Sequence, residues 1–298
     1  MRDLSEIHGP LVERNAFDPE EYLFADEHLA EFHDRGFIAG IPVLSEAELA
    51  RLRAEIEELS DPDHDGRELW YEYQDLSENG VFQGGFLHGS GAWRVRPGFH
   101  DLLWNPAITV RLRQLVGGSV RLLHDQVLAK PSGQGGSVLW HQDYSYWRYT
   151  QPMCHATCWV ALDDATVENG CLQYIPGSHR WGVLLPQASK ADEAMDYVFG
   201  QLTTEQRAAF TPVPAEVPAG SAVFHHPLVI HSSAPNRSAK PRRATTIHVM
   251  RDGTRAAVDL PEVNGLPAWL VGGAGEEYPL VDEPAGSPLG GKFFPVLI

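Results

Sequence analysis

Leu139-Trp140-His141-Gln142-Asp143 is the stretch on which the reading of this chain turns. On an extended strand, side chains two residues apart leave the same face, so His141 and Asp143 point together while Gln142 points away. A third ligand must then come from another strand folded back beside the first, and His231, 90 residues beyond His141, is in place to supply it. A Ser/Arg-rich stretch ending in Arg242-Arg243 follows. Two imidazoles and one carboxylate suit ferrous iron, and three ligands on one face leave the opposite positions open for a chelating cosubstrate and oxygen. In a chain with 14 histidines an isolated His-x-Asp carries little weight. Taken singly, His141 reads as a satisfied core histidine and Asp143 as a turn or capping carboxylate. The distal histidine and the basic cluster behind it favour the metal.

Working outward, the region after Val120 breaks into short apolar runs cut by Gly and Pro: 120–129, 137–142, 156–162, 171–175, 222–225 and 245–250. Such spacing predicts an antiparallel barrel or sandwich, and a mainly β fold. Upstream, helices are expected. Ser45-Glu46-Ala47-Glu48 is a capping box, and Leu49, Leu52, Ile56 and Leu59 form one apolar stripe behind it. Glu55, Glu57 and Glu58 are read as that helix's solvated face. A second helix is expected from Asn105-Pro106 to the Gly117-Gly118 stop. These helices are expected to buttress the sheet. Residues 1–25 read as a loose lead-in. The polar stretch 187–210 reads as a helical insertion, either a lid over a barrel mouth or a surface excursion. One domain is expected over 1–298: a helical part at about 26–118, a barrel at about 120–252 and a Gly/Pro-rich wrap at about 253–298.

Composition sets limits. A chain of 298 residues, 43% hydrophobic, buries a sizeable core. The formal charge of −17 disfavours nucleic acid, an anionic membrane or a polyphosphate-bearing substrate as partners. Cys154, Cys158 and Cys171 match no zinc spacing, and an odd number argues against a disulfide framework, so a reducing cytoplasm is expected. The first residues carry no apolar signal-peptide core, and nowhere do 18 apolar residues run together, so a soluble protein is expected.

The motifs Lys130-Pro131-Ser132-Gly133, Trp140-His141-Gln142-Asp143, Asn169-Gly170-Cys171-Leu172, Ile175-Pro176-Gly177-Ser178-His179 and His231-Ser232-Ser233-Ala234-Pro235-Asn236-Arg237-Ser238, with Arg242 beyond, resemble the phytanoyl-CoA dioxygenase family of Fe(II)/2-oxoglutarate-dependent oxygenases. The likeness runs in order from Val120 to Met250. It implies a double-stranded β-helix, a jelly-roll of the cupin kind, with His141, Asp143 and His231 as iron ligands and catalytic residues. Arg242 matches the arginine that holds the far carboxylate of 2-oxoglutarate, and Ser233 the hydroxyl beside it. Lys130 and Trp159 sit where members place a lysine and a tryptophan, and are expected at the cosubstrate. The cofactors implied are Fe(II), 2-oxoglutarate and O2, with release of succinate and CO2. The implied substrate is a small organic molecule: a secondary metabolite, osmolyte, amino acid or acyl compound. Halogenating relatives have Ala or Gly where Asp143 stands, so the carboxylate points to hydroxylation or another oxidative step.

A physical argument supports the arginine. A planar guanidinium matches a carboxylate bidentately and stays charged. Arg243 competes, but strand alternation turns only one of the two inward. Gln126 shares the alternation face of Lys130 and reads equally as a substrate contact or as a hydrogen-bonded wall residue. Tyr144, Trp147 and Tyr149, with Tyr146, read equally as a pocket wall near the metal or as barrel core. His225 and His226 rival His231 as ligands; His155, His179 and Arg180 read as structural or surface residues. Two other readings stay open: a cupin-like metalloenzyme without 2-oxoglutarate, and a metal-free jelly-roll binding module.

Overall fold

The computed structural model describes residues 2–13, 16–61, 63–69, 72–75, 87–133, 136–185, 194–258, 262–263, 266–267 and 284–298. In chain order the strands up to residue 256 are β1 (Phe37–Pro42), β2 (Glu72–Asp75), β3 (Leu87–Ser90), β4 (Val120–Lys130), β5 (Val138–His141), β6 (Thr150–Gln151), β7 (His155–Ala161), β8 (Leu172–Tyr174), β9 (Val213–Ala215), β10 (Ser221–His225), β11 (His231–Ser233), β12 (Arg242–Arg251) and β13 (Arg255–Ala256). The main sheet has the order β1-β10-β7-β12-β4-β3-β2, the minor sheet β5-β11-β8-β9, and neighbours in both run antiparallel. Facing sheets of this kind are the expected jelly-roll barrel.

Strand alternation sorts the main sheet into two faces. Ile38, Val127, Cys158, Val160, Ala222, Phe224, Ile247 and Val249 point outward into one apolar cluster with Leu52, Ile56, Leu59, Ile108 and Leu112 of the helices. Phe37, Trp159, Ala161, Val223 and Ala244 point inward and meet Leu172 and Tyr174 of the minor sheet. The helical buttress forms as the sequence indicates. Helix α1 is Asp26–Arg35. Helix α2 (Glu46–Leu59) carries the full Ser45/Glu48 capping box, with Leu49, Leu52, Ile56 and Leu59 buried. Two short helices, α3 (Ala92–Val95) and α4 (Pro97–Leu102), lead to α5 (Pro106–Val116), which starts at an Asn105 cap and stops at Gly117 in the left-handed conformation.

Two differences from the sequence reading have tertiary causes. Strands β1 and β3 lie upstream of residue 120 yet pair with β10 and β4, so the barrel sheet draws on the part read as helical. Glu55 is not solvated: it is 8% exposed, and its carboxylate accepts the backbone N–H of Gly98 (2.8 Å) and Phe99 (3.1 Å) at the start of α4. That satisfies helix-end donors that would otherwise be orphaned. Glu57 and Glu58 do lie at the surface, paired with Arg243 and Arg96.

Of the insertion, 186–193 lies outside the described residues. Helices α6 (Ala194–Gln201) and α7 (Thr204–Ala208) follow it, and Val198, Leu202 and Phe210 pack with Trp140, Ile175, Leu185 and Ile230 on the outer side of the minor sheet. Of the C-terminal wrap, 259–261, 264–265 and 268–283 are likewise outside the described residues. The chain end runs beside β4, with Leu297 N–H donating to the Val120 carbonyl at 2.9 Å. No helix among the described residues is long and apolar enough to cross a membrane.

Candidate metal centre

Strands β5 and β11 bring the two distant histidines face to face: His141 and His231 are register partners, with ring centroids 4.2 Å apart. β5 ends at His141, Gln142 stays extended (φ −122°, ψ 133°), and Asp143 opens a 3-10 turn over Asp143–Ser145. The extended geometry therefore lasts just long enough to put Asp143 beside His141. Its Oδ1 lies 3.5 Å from Nε2 of His141 and 3.5 Å from Nε2 of His231. One ligand atom from each of the three residues falls within 4.8 Å of the others.

Both imidazoles are oriented the same way. Nδ1–H of His141 donates to the Leu139 carbonyl (2.7 Å) and that of His231 to the Val229 carbonyl (3.0 Å). Tying the Nδ1 proton back to the chain leaves both Nε2 lone pairs aimed at the carboxylate, the tautomer a metal requires. Burial, together with the neighbouring His141, holds His231 neutral, far below its ordinary pKa. Burial opposes ionisation of Asp143, yet the histidines around it, with the Nε2–H of His225 hydrogen-bonded to Oδ2, keep the carboxyl well below the usual range. Two imidazoles and a carboxylate converging in this way fit a divalent metal.

Gln142 points away, as the alternation requires. Its amide donates to the carbonyls of Val183 (3.0 Å) and Leu228 (2.7 Å) and accepts from Leu185 N–H (2.7 Å), which pins the loops behind the site.

Arg242 and Lys130 are opposite each other where β12 meets β4. Arg242 is 1% exposed and faces inward, its Cζ 5.4 Å from the Trp159 ring centroid. Its Nε and Nη1 have no hydrogen-bond partner among the described residues. Burial pushes its pKa down to about 10. Arg243 faces out and is spent on Asp163, with Nε to Oδ2 at 2.9 Å and Nη2 to Oδ1 at 2.8 Å. Lys130 donates to Ser233 Oγ (2.7 Å) and to the Ala234 carbonyl (2.5 Å), so Ser233 also joins this corner. Burial and then the Arg242 charge drive its pKa down to about 6.

The family motifs are the scaffold of this corner. Gly170 has φ +79°, and a side chain there would land on the Ala234 carbonyl that Lys130 needs. Asn236 donates to the carbonyls of Lys130 (3.2 Å), Pro131 (3.0 Å) and Lys240 (2.8 Å), closing the loop between β11 and β12.

The softer candidates divide. Gln126 is half-buried and inward-facing, its side-chain amide 3.2 Å from His248 Nε2. Of the aromatic run, Tyr146 lies beside the site, its ring centroid 5.8 Å from that of His141. Trp147 and Tyr149 are buried among Leu123, Met250, Leu289 and Phe294, and Tyr144 packs against this cluster, its hydroxyl donating to the Thr150 carbonyl at 2.8 Å. His226 stays out of the triad: its Nδ1 accepts from Leu228 N–H at 3.1 Å. His225 lies behind Asp143, with Nε2 2.9 Å from Oδ2, the oxygen turned away from His141 and His231. Half-buried His179 and exposed Arg180 both bond the His33 carbonyl, in keeping with a structural or surface role. His248, Thr157 and Thr246 went unmarked in the sequence. Thr157 donates to Asp143 Oδ2 (2.8 Å) and accepts from His248 (3.0 Å), and Thr246 Oγ1 is buried with no partner among the described residues. Their only signal is shared alternation with Arg242 and Trp159.

Residues 32–244 match the family model described as phytanoyl-CoA dioxygenase (PhyH). The chain belongs to that family. It is 31% identical over 169 residues to a phytanoyl-CoA dioxygenase domain-containing protein 1 homolog of Caenorhabditis elegans, covering 54% of this chain and 57% of that protein. To L-proline trans-4-hydroxylase of Streptomyces griseoviridis it is 32% identical over 206 residues, 62% of this chain and 76% of the relative. The chain spans about half the length of the first curated relatives it matches, 57%, 47% and 57%. Among solved structures, the non-heme alpha ketoglutarate dependent carbocyclase SnoK from nogalamycin biosynthesis superposes with a TM-score of 0.71 at 25% identity, over 96% of this chain and all (100%) of that one.

Proposed function

We propose that the protein is an Fe(II)- and 2-oxoglutarate-dependent oxygenase that hydroxylates a small organic molecule. The observation that carries this is the convergence of His141, Asp143 and His231, with both histidine tautomers set for a metal. Arg242 supports the choice of cosubstrate over a cupin-like metal site without one: a buried guanidinium with two nitrogens unpartnered among the described residues, in the same barrel, asks for an anion. A metal-free binding module would have no use for either feature.

Ferrous iron and 2-oxoglutarate, when bound, couple oxidative decarboxylation to succinate and CO2 with oxidation of the substrate by O2. What the chain contributes is binding and shielding. His141, Asp143 and His231 would hold the metal on one face. Arg242, with Ser233, Lys130 and Thr246 nearby, would hold the cosubstrate, and Trp159 would wall it. Gln126 and Tyr146 are the side chains on the open side best placed to meet substrate, with Tyr144, Trp147 and Tyr149 shaping the wall behind. The relatives act on different classes of compound, as their names state, so the substrate is assigned only to the class of small molecules. The likeness to a carbocyclase keeps ring closure as the second outcome of the same site.

The test is anaerobic addition of Fe(II) and then 2-oxoglutarate. The expected result is a visible charge-transfer band that needs both additions. Iron binding with no band would leave a cosubstrate-free metalloprotein, and no iron binding a binding module. With a substrate in hand, mass separates hydroxylation, which gains one oxygen atom, from ring closure, which loses two hydrogens.

A further inference from the structure

The second oxygen of Asp143 has its own apparatus. Oδ2 accepts from Thr157 Oγ1 at 2.8 Å and from His225 Nε2 at 2.9 Å. Since the carboxylate can only accept, Nε2 of His225 carries the proton and Nδ1 is left as an acceptor. Tyr174 meets it: its hydroxyl donates to His225 Nδ1 at 2.9 Å. Tyr174 also stands opposite His231 in the β8–β11 ladder. Its ring stacks on that histidine (centroids 5.6 Å, 26° between planes) and on Phe37 of β1 (4.2 Å, 13°). Tyr174, His225 and Thr157 are at most 2% exposed, so none of these bonds competes with bulk water.

We infer that Tyr174 and His225 are positioning residues that brace Asp143 as a one-oxygen ligand, and that through Tyr174 the brace is tied to His231. The inference rests on the metal reading above and adds to it residues that do not themselves ligate. Turning the carboxylate so that both oxygens faced the metal would break the bonds to Thr157 and His225 together. A carboxylate bound through both oxygens would also take up a position that a chelating cosubstrate needs. His225 is thereby removed as a rival ligand, because Nε2–H is committed to Asp143 and Nδ1 to Tyr174.

The test is anaerobic titration with Co(II), followed by its visible absorption, on the full chain and on His225→Phe, His225→Gln, Tyr174→Phe and the His225→Phe/Tyr174→Phe double variant. Unfolding midpoints of the metal-free proteins are measured alongside. His225→Phe weakens Co(II) binding roughly 10–100-fold, the range for loss of a hydrogen bond behind a ligand, and alters the absorption envelope. His225→Gln restores most of the affinity, since its amide N–H reaches the place of Nε2. Tyr174→Phe keeps the stack and loses only the hydroxyl, weakening binding about three- to tenfold. The double variant matches His225→Phe alone, because Tyr174 acts on Asp143 through His225. Wild-type affinity and spectrum in folded His225→Phe, or additive losses in the double variant, overturn the brace while leaving the metal site standing. Failure of the unaltered chain to bind Co(II) overturns the metal reading itself, and the brace with it. If His225→Phe does not fold, His225→Gln and Tyr174→Phe carry the same decision.

Discussion

Replacing Arg242 with methionine separates a binding arginine from a structural one. The guanidinium is 1% exposed, and its Nε and Nη1 have no hydrogen-bond partner among the described residues. In the metal-free, ligand-free protein this is a buried charge held chiefly by the Trp159 face, and burial already pulls its pKa down to about 10. A methionine of similar reach removes that cost, so the unfolding midpoint of the unliganded protein stays level or rises. Cosubstrate binding goes the other way. Two charge-assisted hydrogen bonds to a carboxylate contribute about 1.5–3 kcal/mol each, together about 3–6 kcal/mol. At about 1.4 kcal/mol per factor of ten, the Kd for 2-oxoglutarate rises roughly a hundredfold to ten-thousandfold. The assay is anaerobic titration of 2-oxoglutarate into the Fe(II)-loaded protein, with thermal unfolding of the unliganded protein and Co(II) affinity as controls. Arg243→Met shows the opposite pattern, a lower midpoint and a near-normal Kd, because it breaks the pairing with Asp163 and Glu57. An unchanged Kd with a lowered midpoint in Arg242→Met would refute the reasoning and make Arg242 a structural cation.

Four other perturbations follow from the same structure. His231→Ala abolishes Co(II) binding, and retention of tight binding would remove the triad as the site. Glu55→Ala strips the acceptor from the Gly98 and Phe99 N–H groups, costing about 2 kcal/mol of unfolding free energy with Co(II) affinity unchanged; no loss would mean water caps α4 equally well. Asp163 is buried enough to resist ionisation, but Arg243 and Arg53 outweigh that and hold its carboxyl below the usual range. A depressed carboxylate pKa stabilises the fold fully above the ordinary Asp value of about 3.9 and loses that contribution as pH falls past it. Asp163→Asn therefore lowers the midpoint near neutral pH and flattens its fall in acid; an unchanged acid limb would show the pairing adds nothing. Lys130, with its pKa near about 6, is mostly neutral at neutral pH, and a carboxylate arriving beside it raises that value. Binding of 2-oxoglutarate then takes up a proton, seen by calorimetry in buffers of different ionisation enthalpy; proton-neutral binding would place the cosubstrate away from Lys130.

What the sequence disclosed was set by the range of the interaction that decides each feature. Alternation is local, so the opposite fates of Arg242 and Arg243 and the outward turn of Gln142 were legible. The pairing of His141 with His231 was legible only as a requirement that two strands meet, because register belongs to the tertiary fold. Glu55 was misread because its partners, Gly98 and Phe99, lie more than 40 residues away. A signal was nonetheless present: Glu55 stands three residues after Leu52 and four before Leu59, on the buried stripe itself, whereas Glu57 and Glu58 fall off it. The strand Phe37–Pro42 was missed because Phe-Ile-Ala-Gly-Ile-Pro is short and broken by Gly and Pro. It is placed by its pairing with β10 and by Phe37 stacking on Tyr174.

The inner face of the main sheet explains why so many polar side chains can share one core. On β12 the inward series is Arg242, Ala244, Thr246 and His248, opposite Lys130, Leu128, Gln126 and His124 on β4. On β7, Trp159 and Thr157 stand beside Thr246 and His248. The row holding His124, His248, Thr157 and His225 thus lies at the level of Asp143 Oδ2, and burial keeps His124 neutral, its pKa down to about 3. The row holding the Arg242–Lys130 pair lies six residues along β12, roughly 20 Å of extended chain at about 3.3 Å per residue. An arginine confined to its own row would stand far from the metal residues. It is not confined: Arg242 Cζ is 5.4 Å from the ring of Trp159, a residue paired four positions further along the strand, so the two side chains lean toward each other across the apolar Ala244 row. The length of arginine closes part of the gap and a cosubstrate carrying a carboxylate at each end can close the rest. A lysine at 242 would lack both the fork and the flat face that rests on Trp159.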